Sequence, residues 1–213
     1  MFTGIISEIG KIKSLTRQGT NLQIEVEAHK VTPRLDIGAS VAINGACQTV
    51  VSRGPDYFRV EAIAETLSRT NLDELVRGSL VNLETPLSPA DLLHGHIVQG
   101  HVDCISRITN ITPRDGSTLY TFDYPREYER FLIEKGSVAV DGVSLTIVRV
   151  EPSSFQVAVI PHTLENTIFK YRKAGDTVNL EFDIIAKYIN QLISRDDKHE
   201  NRITTEFLKE HGF

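Results

Sequence analysis

Apolar and polar residues alternate with a period of two in a series of short stretches, the mark of strands with one buried face. Asn21 to Val26, NLQIEV, is the cleanest of them. Residues 3 to 12 alternate more loosely, with Ile5, Ile9 and Ile12 among polar neighbours, and are read as a strand. Lys30 to Gly38 is a polar connection containing Pro33. Ser40 to Val51 is rich in β-branched residues and is broken by Asn44-Gly45, a short-range hairpin signal. Arg53-Gly54-Pro55-Asp56 makes a turn before a further strand, Tyr57 to Ala62. Thr66 to Leu75 suits a short helix, and Gly78 precedes a closing strand, Leu80 to Glu84.

The pattern then returns. SVAINGACQTVV at 40–51 is answered by SVAVDGVSLTIV at 137–148. The offset of 97 holds through Thr66-Leu67 and Thr163-Leu164, Gly78 and Gly175, and Val81 to Glu84 against Val178 to Glu181. Between 40 and 84, 18 of 45 positions are identical, which makes this a duplicated domain. In the second copy Asp141-Gly142 repeats the turn, Pro125 to Glu134 is read as a helical connection, and Phe155 to Ile160 as a strand. Aligned on their opening glycines, at an offset of 96, Ile5 answers to His101.

Short strands separated by turns, with little helix, predict an all-β protein of two tandem six-stranded antiparallel Greek-key barrels. Closing each sheet removes its exposed edges. The expected domains are residues 1–90, 91–182 and a C-terminal 183–213, with Thr85 to Leu93 linking the copies. Each repeat is a complete barrel, so each is expected to fold and bind a ligand by itself. After Asp183 nothing is repeated. There Ile184, Ile185, Tyr188, Ile189, Leu192 and Ile193 form one stripe of a helix, read as an oligomerisation surface with a barrel-covering lid as the alternative. Arg195 to Phe213 is highly charged and is expected to fray.

Composition narrows the function. A net charge of −5, spread through the chain, leaves no basic face, so nucleic acid and anionic membranes are poor partners. No apolar run approaches the ~20 residues that span a bilayer, and MFTGIISEIGKI lacks the features of a signal peptide. Cys47 and Cys104 occupy non-equivalent places in the repeat, without a CxxC, and are read as small buried hydrophobes in a cytoplasmic protein. No P-loop, GxGxxG, HExxH or GxSxG occurs. LHGHIVQGHVD places His94, His96 and His101 close together. As a strand it would put His94 and His96 on one face and His101 on the other, so no metal site is assigned. The copies diverge at Asn44/Asp141, Cys47/Ser144, Gln48/Leu145 and Glu65/His162, which suggests two pockets of similar shape and different chemistry.

MFTGI, GASVAINGACQTV, GHIVQGHVD, KGSVAVDGVSLT and IPHTLENT, in this order and spacing over residues 1 to about 193, resemble the trimeric, lumazine-binding riboflavin synthase family. The resemblance implies a dismutation in which two 6,7-dimethyl-8-ribityllumazine molecules, both held in one site, exchange a four-carbon unit. The products are riboflavin and a ribitylamino-pyrimidinedione, and no cofactor is used. It also implies a homotrimer held by C-terminal helices, with sites between barrels of different subunits, and suggests lumazine synthase as a further partner.

Carried over to this chain, the N-terminal pocket would use Gly4, Ile5 and Ile6, then Cys47, Gln48 and Thr49, then Glu61, Ala62, Ile63, Ala64, Glu65 and Thr66. Phe2 and Thr3 would close it. The C-terminal pocket would use Gly100, His101 and Val102, then Lys135, then Ser144, Leu145 and Thr146, then Ile160, Pro161, His162, Thr163, Leu164 and Glu165. His101 is the candidate for proton transfer. Cys47 and Ser40 are the candidates beside the acceptor ring, and Asp141, Ser144 and Lys135 support the C-terminal pocket. The chain departs from the family pattern at Gln48, His94 and Cys104. Two other readings remain: a non-catalytic lumazine or flavin carrier, and a flavin-binding barrel module that would need a nucleotide-binding partner domain.

Overall fold

The computed structural model describes residues 1–199 and 205–212. The alternating stretches form β1 (Glu8–Gln18), β2 (Asn21–Glu27), β3 (Ser40–Ile43), β4 (Ala46–Arg53), β5 (Tyr57–Ala62) and β6 (Leu80–Glu84). They close into an antiparallel barrel in the order β1-β2-β5-β4-β3-β6. The second copy, β7 (Cys104–Arg114), β8 (Ser117–Asp123), β9 (Ser137–Val140), β10 (Val143–Glu151), β11 (Ser154–Val159) and β12 (Thr177–Phe182), closes in the equivalent order. Bulges recur at matching places: between Ile12 and Ser14 and between Ile108 and Asn110, and between Val50 and Ser52 and between Ile147 and Arg149. Such bulges bend strands where a small barrel must turn.

Inward residues fill each barrel. The first core is mainly aliphatic, with Ile12, Ile24, Val26, Val41, Ile43, Val60 and Leu83 around Phe58. The second is built on aromatic rings: Phe122 stacks on Phe155 at 5.2 Å and meets Phe169 edge-on. Each barrel also has a short helix, α1 (Ala64–Arg69) or α2 (Pro161–Asn166), followed by a 3-10 turn.

Three expectations need correction. The first strand begins at Glu8, not residue 3, and runs to Gln18. Its outer half, from Lys13 on, is largely exposed, so it shows no clean alternation. The helical connection in Pro125 to Glu134 is a 3-10 helix, Arg126–Phe131, that answers to the shorter turn Thr32–Arg34. The shift in offset arises there, since β7 follows β1 by 96 residues (8 to 104) and β9 follows β3 by 97 (40 to 137). Residues 94–103, considered as a strand, form no strand: the chain bends at Gly95 and Gly100 and makes a single bridge, Val98 to Phe2.

The two barrels meet at the tips of their equivalent hairpins. Gly45 and Gly142 stack so closely that a Cβ on either would stand within 2.7 Å of the other's backbone nitrogen. Around them a reciprocal set of buried amides crosses the seam. Asn82 Nδ2 donates to Asp141 O and Asn179 Nδ2 to Asn44 O, at 2.9 and 2.8 Å. Asn71 N donates to Asn179 Oδ1 and Ile168 N to Asn82 Oδ1. The seam therefore has approximate two-fold symmetry.

After β12 the chain enters α3 (Ile184–His199), pinned to the second barrel by Lys187 Nζ at 2.6 Å from Asp103 Oδ2. Ile185, Tyr188, Ile189, Leu192 and Ile193 are all more than half exposed along it. The tail expected to fray includes a short helix, α4 (Thr205–Glu210), while residues 200–204 and 213 lie outside the described residues. Among the described residues no helix is long and apolar enough to cross a membrane.

Candidate active site

The segment leading into each barrel does not stay with that barrel. Ile6 packs against the core of the second barrel, and Val102 against the core of the first. The backbone makes the same exchange: Ser144 N donates to Gly4 O and Cys47 N to Gly100 O, both at 2.8 Å. Both glycines are required by contact and by conformation. A Cβ on Gly4 would stand 2.5 Å from Ser144 Cβ, and one on Gly100 would stand 2.6 Å from Cys47 Cβ, with φ of 78° and 82°. The grouping expected from sequence is thus corrected. Gly100, His101 and Val102 belong with Cys47, Gln48, Thr49 and Glu61 to Thr66 on a first surface. Gly4, Ile5 and Ile6 belong with Lys135, Ser144, Leu145, Thr146 and Ile160 to Glu165 on a second. The physical reason is the two-fold seam, which lets each lead-in cover the other copy's hairpin.

Two carboxylates hold these crossings. Glu84, at the end of β6, accepts from Thr3 N (2.7 Å), Thr3 Oγ1 (2.8 Å) and Gly4 N (3.1 Å). Glu181, its equivalent in β12, accepts from Gln99 N (2.6 Å), Gly100 N (2.9 Å) and His101 N (3.0 Å). Burial pushes the Glu181 carboxyl up to about 7, against the pull of these donors and of Lys187. Burial raises Glu84 as well. Neither carboxylate was among the candidate residues. The signal was present, however, because Val-Asn-Leu-Glu is among the strictly repeated runs.

Strand alternation sorts the remaining candidates. Along β4, Gln48 is buried and Thr49 exposed, with Cys47 half-buried; β10 repeats this with Leu145, Thr146 and Ser144. Leu145 lies in the second core, so Gln48 also points inward, its amide donating to Cys47 O at 2.7 Å. The departure at Gln48 is therefore absorbed inside the barrel, and Gln48, Leu145 and the fully buried Ala62 offer a ligand only backbone. Ser40 pairs with Thr49 across the β3–β4 hairpin and so lies beside it. Ile63 and Ile160, each preceding a short helix that lacks a side-chain cap, are both 54% exposed. Glu61, Ala64, Glu65, Pro161, His162 and Glu165 are exposed too. Both surfaces are thus open in a single chain.

Lys135 has φ of 66° at the position where the first copy has Gly38 at 88°. A left-handed lysine costs about 1 kcal/mol that glycine would avoid, and such strain gathers at functional positions. His101, the residue after Gly100, is exposed, and so is His94, whereas His96 is buried against Ser144. Among the described residues no group of His, Cys, Asp and Glu is arranged to hold a metal ion.

Two candidates lie elsewhere. Asp141 is in the seam, 1% exposed, where it pairs with Arg172 and accepts from Asn71 Nδ2 and Asn179 N. Its carboxylate is shared between Asn71 of the first barrel and Asn179 and Arg172 of its own, so its role is to join the barrels. Phe2 is fully buried with Ala42, Val98 and Ala139, and Cys47 packs against this group. It is a plug beneath Cys47 and Gly100 rather than a cover, and Thr3 is held by Glu84.

Two like closed barrels, each presenting an exposed surface of related residues, define a duplicated β-barrel protein. The lumazine binding domain model matches residues 3–86 and again 99–183. Solved structures of LumP complexed with riboflavin and with 6,7-dimethyl-8-(1'-D-ribityl) lumazine share the fold, with TM-scores of 0.80 and 0.77 at 22% identity. They cover 85% of this chain and 99% and 98% of those chains. Riboflavin synthases of Actinobacillus pleuropneumoniae and Bacillus subtilis (strain 168) are 41% and 37% identical to the chain, over 100% of each sequence. The chain belongs to the riboflavin synthase family.

Proposed function

We infer that the chain is a riboflavin synthase, converting two molecules of 6,7-dimethyl-8-ribityllumazine into riboflavin and 5-amino-6-(D-ribitylamino)uracil, the last step of riboflavin biosynthesis. The observation that carries this reading is the duplicated surface, intact in both copies. Cys47, Thr49 and His101 line the first, and Lys135, Ser144 and Thr146 the second. A carrier needs one competent surface, whereas a dismutation needs two lumazines in different roles.

One lumazine loses a methyl proton to give a carbanion delocalised into the ring, and a nucleophile adds to the other. His101 is our candidate to move that proton, with Cys47 and Ser40 beside the ring on the first surface. Lys135, Ser144 and Thr146 bind the ring on the second. Exposed backbone at Ile63 to Glu65 and Ile160 to His162 can hydrogen-bond the pyrimidinedione edges. The four-carbon unit passes between rings held face to face, and positioning of this kind can supply roughly 7–11 kcal/mol in ideal cases. One chain leaves both surfaces open, so the two rings are brought together by packing the first surface of one subunit on the second surface of another. The apolar stripe of α3 assembles the homotrimer that does this in the cytoplasm, and association with lumazine synthase would supply substrate. Incubating the purified protein with the lumazine tests the reading. Flavin absorbance should appear with one riboflavin formed per two lumazines consumed, while binding without turnover would make the protein a carrier.

A further inference from the structure

The crossing segment that carries His101 is held on both sides of that residue. Before it and at it, Glu181 takes the amides of Gln99, Gly100 and His101. Two residues after it, Asp103 N donates to Leu180 O at 2.8 Å, and Asp103 Oδ2 accepts from Phe182 N at 2.9 Å. Tyr128 donates its hydroxyl to Asp103 O at 3.1 Å. Asp103 Oδ2 also lies 2.6 Å from Lys187 Nζ, and the two side chains are only 19% and 22% exposed. The end of the segment is thus tied to α3 as well as to β12.

Lys187 stands in the first turn of α3. Ile185, Tyr188, Ile189, Leu192 and Ile193 mark the exposed stripe of that helix. At about 100° per residue, Lys187 falls on the opposite face. One face of α3 is therefore apolar and uncovered, while the other reaches the crossing segment. Breaking an ion pair this little exposed leaves its partner's charge uncompensated. Here the loss would spread to Glu181. Burial is the main cause that raises the Glu181 carboxyl; the charge of Asp103 adds to it and that of Lys187 opposes it. Lys187 thus offsets two neighbouring carboxylates, and a charged Glu181 is the stronger acceptor for the three amides it holds.

We propose that Lys187 is a positioning residue for His101: by fixing Asp103 and steadying Glu181 it seats the crossing segment on the first surface, so that α3 governs turnover by a route separate from assembly. This assignment rests on the synthase reading above.

The test compares Lys187→Met, Lys187→Arg and Asp103→Asn with wild type. Each is read by turnover of 6,7-dimethyl-8-ribityllumazine, riboflavin affinity from flavin fluorescence, and size by sedimentation. Lys187→Met should lower kcat about tenfold, with riboflavin affinity kept within about threefold and the size of the assembly unchanged. Lys187→Arg, which keeps the charge, should recover to within about threefold of wild type. In a His101→Ala background, Lys187→Met should cost nothing further. Asp103→Asn breaks the same pair from the other side while its amide oxygen still accepts from Phe182 N. It carries the comparison even where Lys187→Met fails to fold. Wild-type kcat in either Lys187→Met or Asp103→Asn would overturn the proposal. So would a full tenfold loss when His101 is already alanine, or a smaller assembly in Lys187→Met. A wild-type protein that binds riboflavin but never turns over the lumazine would instead sink the synthase reading itself. Amide hydrogen exchange at residues 99–101 then decides the role of Lys187. Exchange about tenfold faster in Lys187→Met would support it, and unchanged exchange would overturn it.

Discussion

Single residues decide how the two surfaces differ chemically. His101 stands exposed on the first surface while its backbone N–H is fixed by Glu181. A residue held by its backbone and free at its side chain suits proton transfer, so His101→Ala should lower kcat by about a hundredfold or more. Riboflavin affinity should change far less, and equal losses in both would make His101 a binding residue. Glu181 itself should leave a signature in stability. Its folded pKa of about 7 lies above the unfolded value of 4.5. Between these values the folded chain holds a proton that the unfolded chain has released. Its contribution to stability is therefore full below about 4.5 and lost as pH rises through 7. Glu84 acts in the same direction, while buried His96, shifted down, contributes stability that is lost as pH falls. The clean readout is thus a difference. The fall in melting temperature from pH 5 to pH 8 should be smaller in Glu181→Gln than in wild type, and an unchanged slope would contradict this account of Glu181. These carboxylates escaped the residue-by-residue reading because a repeated glutamate at a strand end looks like scaffold. Only the crossing segments that it grips give it a role.

At the scale of elements, the repeat made the strands legible, because two copies of each pattern constrain one another. The Asn44-Gly45 and Asp141-Gly142 turns, β5 and β6 lie where the alternation puts them. What alternation could not show was which barrel a lead-in covers. Gly4 and Gly100 sit in no strand, and their partners Ser144 and Cys47 are distant in sequence. The same limit misplaced Asp141, expected to support the C-terminal pocket, which lies instead in the seam between the barrels. The helix stripe was visible as periodicity, and the structure leaves it uncovered. Chain termination after Asp183 removes α3 and keeps Phe182, which is buried in the second core. The product should be a monomer by sedimentation that binds riboflavin but does not form it. An assembly of the same size as the full-length protein would show that α3 does not assemble it.

At the scale of the whole molecule, the barrels are separate in their cores but shared at their surfaces. The expectation that each half is self-sufficient is therefore revised. A monomeric fragment of residues 1–90 loses Gly100 from Cys47 N and Val102 from its core. It should bind riboflavin at least tenfold more weakly than a fragment extended through Asp103, and equal affinities would argue against the crossing.

The claim that joins these levels is that lumazine dismutation happens where one subunit's first surface meets another's second. Complementation between damaged subunits tests it most directly. One variant carries Thr49→Val with His101→Ala and keeps its second surface; the other carries Lys135→Ala with Ser144→Ala and keeps its first. Each should be nearly inactive alone. Refolded together, with differently tagged subunits shown to co-purify, they should form riboflavin again, because some interfaces then pair two undamaged surfaces. Mixed assemblies that form and stay inactive would contradict the account, since a site contained within one chain cannot be rescued by a neighbour.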